Sequence, residues 1–192
     1  EAEFVLLDMG PNLGAINRAA LLAADHLIVP LTLEQGSHMA LQCLGPKLRS
    51  WCEVWRENAS ALPDVFTASG AMNPLGYIVL ERSVRLDKPQ YDYAHWHQQV
   101  PNAFHVDLLD QPQGFTGGAS EDSQCLGLVR HYRTLVDMAE ESRKPLFNLR
   151  MADGAVGAHF KAAQLAGTEF KTLAVRLLNE IERVDHSLGA RA

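Results

Sequence analysis

The sequence lacks the segments that mark membrane proteins and disulfide-stabilised proteins. No run approaches the roughly 18 consecutive apolar residues that a membrane span requires. The three cysteines, Cys43, Cys52 and Cys125, have no Cys-x-x-Cys spacing, which indicates reduced thiols rather than a disulfide framework. Together these absences predict a cytoplasmic protein without a membrane span.

The sequence also lacks a phosphate-cradling loop, because no Gly-x-x-x-x-Gly-Lys-Ser/Thr pattern occurs in it. The 192 residues by themselves are therefore expected not to bind or hydrolyse ATP well. The net charge is -6 and like charges form no long block, so bulk charge gives no support for nucleic-acid binding. No internal repeat or low-complexity segment interrupts the chain. We expect one domain over residues 1–192, with loop insertions near 60–74 and 111–124.

The opening stretch is the strongest local signal in the chain. The four apolar residues 4–7 end on Asp8, and the turn-forming residues Gly10, Pro11 and Gly14 follow. An apolar run closed by turn signals predicts a strand buried on both faces, as in a parallel sheet. Such a strand needs neighbours on both sides, so we expect further polypeptide before Glu1. Asp8 then lies at the carboxyl end of a strand, where open α/β sheets bind ligands.

The next segments predict a βαβ unit and further α/β structure. Helix formers at 17–24 lead to an apolar strand at 26–30, which Pro30 ends. Leucines and tryptophans at three- and four-residue spacing predict a helix over 37–58, interrupted or kinked at Pro46. The tryptophans at 51 and 55 are interpreted as core residues. Residues 75–80 predict another strand, and residues 91–100 predict a helix.

The last third of the chain is predicted to begin with a loop. Residues 111–124 hold three glycines, a proline and small polar residues, which favours a mobile loop. A helix is expected over 127–142 and a short last strand over 144–149. A turn with Asp153 as its capping residue follows over 151–155, and a final helix runs over 156–184.

Asp8 is the best candidate for chemistry. A carboxylate at a strand end beside a glycine turn is typical of Mg²⁺ sites, and Mg²⁺ can be held through a bound water. Alternatively, Asp8 only caps the turn. The histidines at 95 and 97 diverge on a helix and are interpreted as surface residues. Cys125 with His131 has no local signature of a nucleophile. The cations of the final helix alternate with glutamates, which favours a solvated face over a nucleic-acid surface.

Two stretches of this sequence resemble the second half of ParA/MinD-type partition ATPases. That family has an aspartate followed by a proline-containing turn and Leu-Gly, then a helix ending in Ala-Ala-Asp, then a strand closing in Val-Pro. The matching residues are Asp8, Pro11, Leu13-Gly14, Asn17, Ala23-Ala24-Asp25 and Val29-Pro30. Lys144-Pro145, Asp153-Gly154-Ala155 and the final helix resemble the end of the family's domain.

The resemblance implies an α/β fold with a P-loop NTPase-like, mostly parallel sheet and helices on both faces, incomplete at its N-terminus. Asp8 would be the Walker B/switch II aspartate, a catalytic residue that holds Mg²⁺ through water. Gly10, Pro11 and Gly14 would form the switch turn, with Arg150, Met151 and Asp153 near the adenine. The implied cofactors of the complete protein are ATP and Mg²⁺. The implied partners are a second copy in a homodimer, non-specific DNA and a ParB-like activator protein.

Three functions stay open on the sequence alone. The first is part of a ParA-like ATPase that couples Mg-ATP binding and hydrolysis to dimerisation and to DNA or partner binding. It would be an ATP hydrolase only when completed by an upstream Walker A segment. The second is a degenerate, nucleotide-free protein-interaction module on the same fold. The third is a small hydrolase with Cys125 or a serine as its nucleophile.

Overall fold

The structure, a computed structural model, describes residues 3–10, 12–60, 68, 70–80 and 90–189. Within them the chain forms three β-strands and five α-helices. In chain order these are α1 (Ala15–Ala23), β1 (His26–Leu31), α2 (Gln35–Ser60), β2 (Asn73–Leu80), α3 (Gln90–Ala103), β3 (Cys125–Val129), α4 (Thr134–Ser142) and α5 (Ala158–Gly189). A π-helical turn, Phe104–Leu108, continues α3, and two 3₁₀ turns, Leu146–Asn148 and Met151–Asp153, follow α4.

The three strands form one parallel sheet in the order β1-β2-β3. His26–Leu31 lies beside Asn73–Val79, and Tyr77–Leu80 lies beside Cys125–Val129. Because the strands are parallel, their carboxyl ends share one edge of the sheet. The α/β class with a parallel sheet is therefore confirmed. No helix in the described part of the chain is long and apolar enough to cross a membrane.

The main core packs helices against β1 and β2. Tyr77 and Phe104 lie at its centre without exposed surface, and their ring centroids are 4.9 Å apart. Trp51 and Trp55 pack against this core, as the spacing predicts. At Gly45 the helix α2 approaches the Phe104–Leu108 turn so closely that a Cβ would overlap a backbone carbonyl. This close approach explains a glycine inside α2, which continues through Pro46 without dividing.

A second, smaller core lies under the end of α4. Leu135, Leu149, Ala155 and Ala163 are buried in it, so α4, the two 3₁₀ turns and the start of α5 pack together. The remainder of α5 covers part of β3, where Leu173 comes close to Gly127. The residues that the sequence places on the inner face of the last helix, such as Phe160 and Leu177, are only partly exposed.

The predicted strand over residues 4–7 is wrong for this structure. The segment has no regular secondary structure and its apolar side chains are exposed, with Leu6 90% exposed. A parallel strand takes its hydrogen bonds from neighbours, and no strand of the described residues pairs with this one. An apolar run without a partner strand stays outside the sheet.

Two predictions in the last third are also wrong. Residues 144–149 contain the 3₁₀ turn Leu146–Asn148 rather than a strand: Pro145 lacks an N–H, and Asn148 N–H donates to Pro145 O (2.8 Å). The helix expected from Gly127 begins at Thr134, and Cys125–Val129 is β3 instead. The edge of β2 provides backbone hydrogen-bond partners for this apolar run. This tertiary pairing outweighs the local helix preference of the run.

The two predicted insertions differ from expectation where they are described. β2 already begins at Asn73, inside the 60–74 segment, whose residues 61–67 and 69 lie outside the described residues. The 111–124 segment has no helix or strand, as expected, but several of its groups are fastened to the main core. Ala119 and Asp122 are buried there, so part of this segment is packed, and its mobility stays a prediction.

Candidate functional site

The turn between Asp8 and α1 is closed by its own polar groups. Asn12 N–H donates to Gly10 O (2.8 Å), and Gly14 N–H donates to the side-chain oxygen of Asn12 (3.1 Å). The amide of Asn17, in the first turns of α1, donates to both Gly10 O (2.8 Å) and Asn12 O (2.7 Å). Asn17 therefore fastens the turn to the helix. We name residues 8–17 the Asp8 turn; Pro11 lies outside the described residues.

The Asp8 turn is anchored to the main core by residues that follow Asp8. Met9 packs against that core, and Leu21 and Leu22 of α1 are buried in it. Gly14 stands immediately before α1 with an extended backbone (φ -68°, ψ 173°). The polypeptide is thus held on either side of a surface-exposed turn.

The Asp8 carboxylate is exposed and makes no hydrogen bond or ion pair with the described residues. Both of its oxygens are open to accept hydrogen bonds from the water shell of Mg²⁺, which keeps several waters in protein sites. Among the described residues no group of three or more His, Cys, Asp or Glu side chains is placed to hold a metal directly. The geometry therefore fits contact with a hydrated ion and not a protein cage.

The residues predicted near the adenine form a second closed turn. Arg150 N–H donates to the Asp153 carboxylate (3.0 Å), and Asp153 N–H donates back to Arg150 O (2.9 Å). Lys144 donates to the other Asp153 oxygen (2.6 Å). The bond from Lys144, together with the Arg150 N–H, holds the pKa of Asp153 below its usual value. Asp153 thus caps its own 3₁₀ turn rather than the last helix, and Met151 stands exposed at 67%.

The two turns belong to different parts of the molecule. Met9 contacts the main core, whereas Leu149 and Ala155, which flank the second turn, lie in the smaller core. In the described part of the chain no hydrogen bond or ion pair joins the Asp8 turn to residues 150–153. The structure thus places these candidate residues in two separate turns.

The structure contains a buried polar cluster that the sequence reasoning missed. His105 Nε2 donates to the Asp122 carboxylate (3.0 Å to Oδ2), and Tyr77 Oη donates to the same oxygen (2.8 Å). His105 Nδ1 lies 2.8 Å from the side-chain oxygen of Gln111, and the imidazole stacks on Phe115. We name these five residues the His105 cluster.

The His105 cluster is built to hold the chain together. Asp122 also accepts the Gln124 N–H (2.9 Å), so the buried carboxylate accepts hydrogen bonds from a hydroxyl, an imidazole and a backbone amide. Burial, and then the bond to Asp122, raises the pKa of Tyr77, which stays a hydroxyl donor. No sequence signal marks the cluster, because Tyr77 and His105 lie 45 and 17 residues before Asp122.

In the described part of the chain, no hydrogen bond joins Cys125, His131 and His95 to one another. Cys125 is buried, and that burial raises the pKa of its thiol, which disfavours the thiolate needed for nucleophilic attack. His131 accepts a hydrogen bond from Arg133 N–H (3.1 Å), and no bond joins it to Cys125 in the described residues. His95 is exposed on α3, consistent with a surface histidine.

Comparisons with protein-family models, with curated proteins and with solved structures gave no match. A functional assignment therefore depends on the residue pattern and on the geometry of the two turns.

Proposed function

We propose that the chain is part of a ParA-like ATPase that couples Mg-ATP binding and hydrolysis to dimerisation and to DNA or partner-protein binding. The observation that carries the proposal is the Asp8 turn. A carboxylate that makes no hydrogen bond or ion pair with the described residues precedes a glycine-containing turn, and α1 connects that turn to a parallel sheet. Aspartate, turn, helix and strand follow each other in the order found in that family.

Asp8 and Asn17 each have a defined role in this proposal. Asp8 accepts hydrogen bonds from Mg²⁺-bound water, since its oxygens have no described protein donor. Asn17 holds the backbone of Gly10 and Asn12 in one arrangement and would release it in another. Nucleotide switches respond to the γ-phosphate of bound Mg-ATP in this way, by holding a loop in one arrangement and releasing it in another.

The proposal requires a phosphate-binding loop from polypeptide outside the 192 residues, because they contain no such pattern. It also assigns Arg150 and Met151 to the base side of the nucleotide. Arg150 is exposed and its backbone shapes the second turn, whose Asp153 is already bonded to Lys144. Homodimerisation, non-specific DNA binding and a ParB-like activator belong to the same proposal.

The test is ATP turnover by a polypeptide that joins these residues to the coding sequence directly upstream. Asp8→Asn keeps the side-chain size and removes the charge. We expect it to lower kcat about 10- to 100-fold, the usual cost of losing a group that acts on a metal through water. Asp25→Asn is the matched control, since Asp25 is also an exposed carboxylate and lies between α1 and β1.

Two outcomes would overturn the ATPase proposal. One is near-normal turnover by Asp8→Asn. The other is the absence of a phosphate-binding loop from the upstream coding frame, combined with no binding of a fluorescent ATP analogue. The second outcome would favour a nucleotide-free interaction module. The exposed apolar side chains of residues 4–7 favour that module as well, since they offer a surface for another polypeptide.

A further inference from the structure

β3 is the terminal strand of the sheet on one side. It pairs with β2, and no strand of the described residues pairs with its other edge. Leu128 is 44% exposed on this strand. An unpaired strand edge carries backbone donors and acceptors that an added peptide strand can use.

Helix α5 packs over one face of β3. It runs antiparallel to β3, because Glu169 pairs with Arg130 at one end and Leu173 touches Gly127 further along. The contact at Gly127 is close, since a Cβ there would lie 2.9 Å from Leu173 Cδ1. Between strand and helix lies an open groove of about 520 Å³, a volume in the range of ligand sites, about 300–1,000 Å³.

The lining of the groove combines apolar side chains with hydroxyls. Leu128, Phe170 and Leu173 supply its apolar surface, and Thr168 and Thr172 line it from α5. An extended peptide matches this lining, because its backbone groups meet the strand edge while alternate side chains meet the apolar surface. The shape and the lining therefore favour an extended segment over a folded surface.

The charges of the groove define the kind of peptide. Arg130 is paired with Glu169 (2.9 Å), which also accepts the Tyr132 hydroxyl. Arg176, near Cys125 at the other end of β3, makes no hydrogen bond or ion pair with the described residues. Its neighbour Glu180 is already bonded to Arg183. The charge of Arg176 also acts on Glu180, so Arg176, Arg183 and Glu180 together carry one net positive charge, in a chain whose net charge is -6.

We propose that the β3–α5 groove binds an extended segment of a partner protein that adds a strand to β3 and places a carboxylate side chain at Arg176. This interaction needs no nucleotide and goes beyond the proposed ATPase function. Backbone bonds along β3 supply affinity, and Arg176 selects acidic over basic segments.

The experiment measures fluorescence anisotropy with three labelled peptides matched to the five residues of β3. The first is Val-Glu-Val-Glu-Val, the second replaces each Glu by Lys, and the third is the acidic peptide with N-methylated backbone nitrogens. We expect the acidic peptide to bind best. The N-methylated peptide should bind at least about tenfold more weakly, because it has lost its backbone donors. The lysine peptide should also bind more weakly.

Variants of α5 locate the contact. Arg176→Glu should weaken binding of the acidic peptide about three- to tenfold, the effect expected of an exposed charge pair. Lys171→Glu is the matched control, since Lys171 is exposed on the same helix and does not line the groove. Both are surface changes, and circular dichroism checks that the fold is retained. Amide shifts of Gly127 and Val129 on titration should report binding at the strand.

Four results would overturn the proposal. The acidic peptide shows no binding at millimolar concentration, or the N-methylated peptide binds equally well. Arg176→Glu and Lys171→Glu have the same effect. Sedimentation shows a dimer that the acidic peptide dissociates through this edge, in which case a second copy of the chain is the natural occupant.

Discussion

Two segments of this molecule show opposite relations between composition and burial. Residues 4–7 are all apolar, yet they are exposed and belong to no strand. Residues 111–124 are rich in glycine and small polar residues, yet Ala119 and Asp122 in this segment are fully or almost fully buried. The comparison teaches that burial here follows the availability of partners and not local hydrophobicity.

The physical reason differs between the two segments. Burying one leucine or phenylalanine side chain is worth about 1.5 to 3 kcal/mol, but only against a surface that accepts it. No strand of the described residues pairs with residues 4–7. The 111–124 loop instead contributes to the His105 cluster, where hydrogen bonds satisfy the buried carboxylate of Asp122.

Asp122→Ala should have the largest effect on this comparison. The change removes the acceptor of Tyr77, His105 and Gln124 together and leaves buried donors without a partner. We expect the free energy of unfolding to fall by about 3 to 5 kcal/mol, as when one member of a buried pair is removed. Urea unfolding followed by circular dichroism measures it.

Glu121→Ala is the control for Asp122→Ala. Glu121 is the exposed neighbour of Asp122, and among the described residues its carboxylate accepts one hydrogen bond, from Gly118 N–H (3.3 Å). It should cost less than about 0.5 kcal/mol. Equal effects of the two substitutions would show that the loop is not held through Asp122.

Tyr77→Phe should have the next largest effect. It keeps the ring that packs on Phe104 and removes only the hydroxyl that donates to Asp122 (2.8 Å). The expected loss is about 1 to 2 kcal/mol, the cost of one hydrogen bond to a buried charge. In a double-mutant cycle with Asp122→Ala, the two losses should be markedly less than additive. Full additivity would contradict a direct interaction between the two side chains.

The parallel α/β architecture could be predicted because its signals are local. The apolar run 26–30 and the leucine and tryptophan spacing of α2 each point to one structure, although β1 continues through Pro30 to Leu31. The Asp8 turn could also be anticipated, since glycines and an aspartate mark it directly. The bonds from Asn17 that close it depend on a helix beginning at Ala15.

The rest depends on contacts between residues distant in the sequence. Gly127 and its apolar neighbours fit a helix or a strand, and only the open edge of β2 decides for a strand. The His105 cluster joins α3's continuation, β2 and the 111–124 loop. No spacing rule connects those positions, so the fastening of that loop was not predictable.

Raising the pH tests how much the Tyr77 hydroxyl contributes to holding the 111–124 loop. The pKa of Tyr77 is raised, so its hydrogen bond stabilises the fold fully below pH about 10, the ordinary tyrosine value. This contribution declines as the pH rises above that value, because the unfolded chain then ionises first. Unfolding free energies measured from pH 8 to 11 should fall more steeply in the wild type than in Tyr77→Phe. Parallel curves for the two proteins would contradict the role of this hydroxyl.

Leu6→Ser should have the smallest effect. Leu6 is the most exposed apolar side chain in the 4–7 segment, at 90%, so its removal should change the unfolding free energy by less than about 0.5 kcal/mol. Leu126→Ser is the matched control, because Leu126 is buried in β3, and we expect it to cost about 2 to 5 kcal/mol. A loss of more than 2 kcal/mol for Leu6→Ser would mean that residues 4–7 are buried under the conditions of measurement. Residues 4–7 would then have a partner in solution. The two segments would both be buried through their partners, and the contrast in burial between them would disappear.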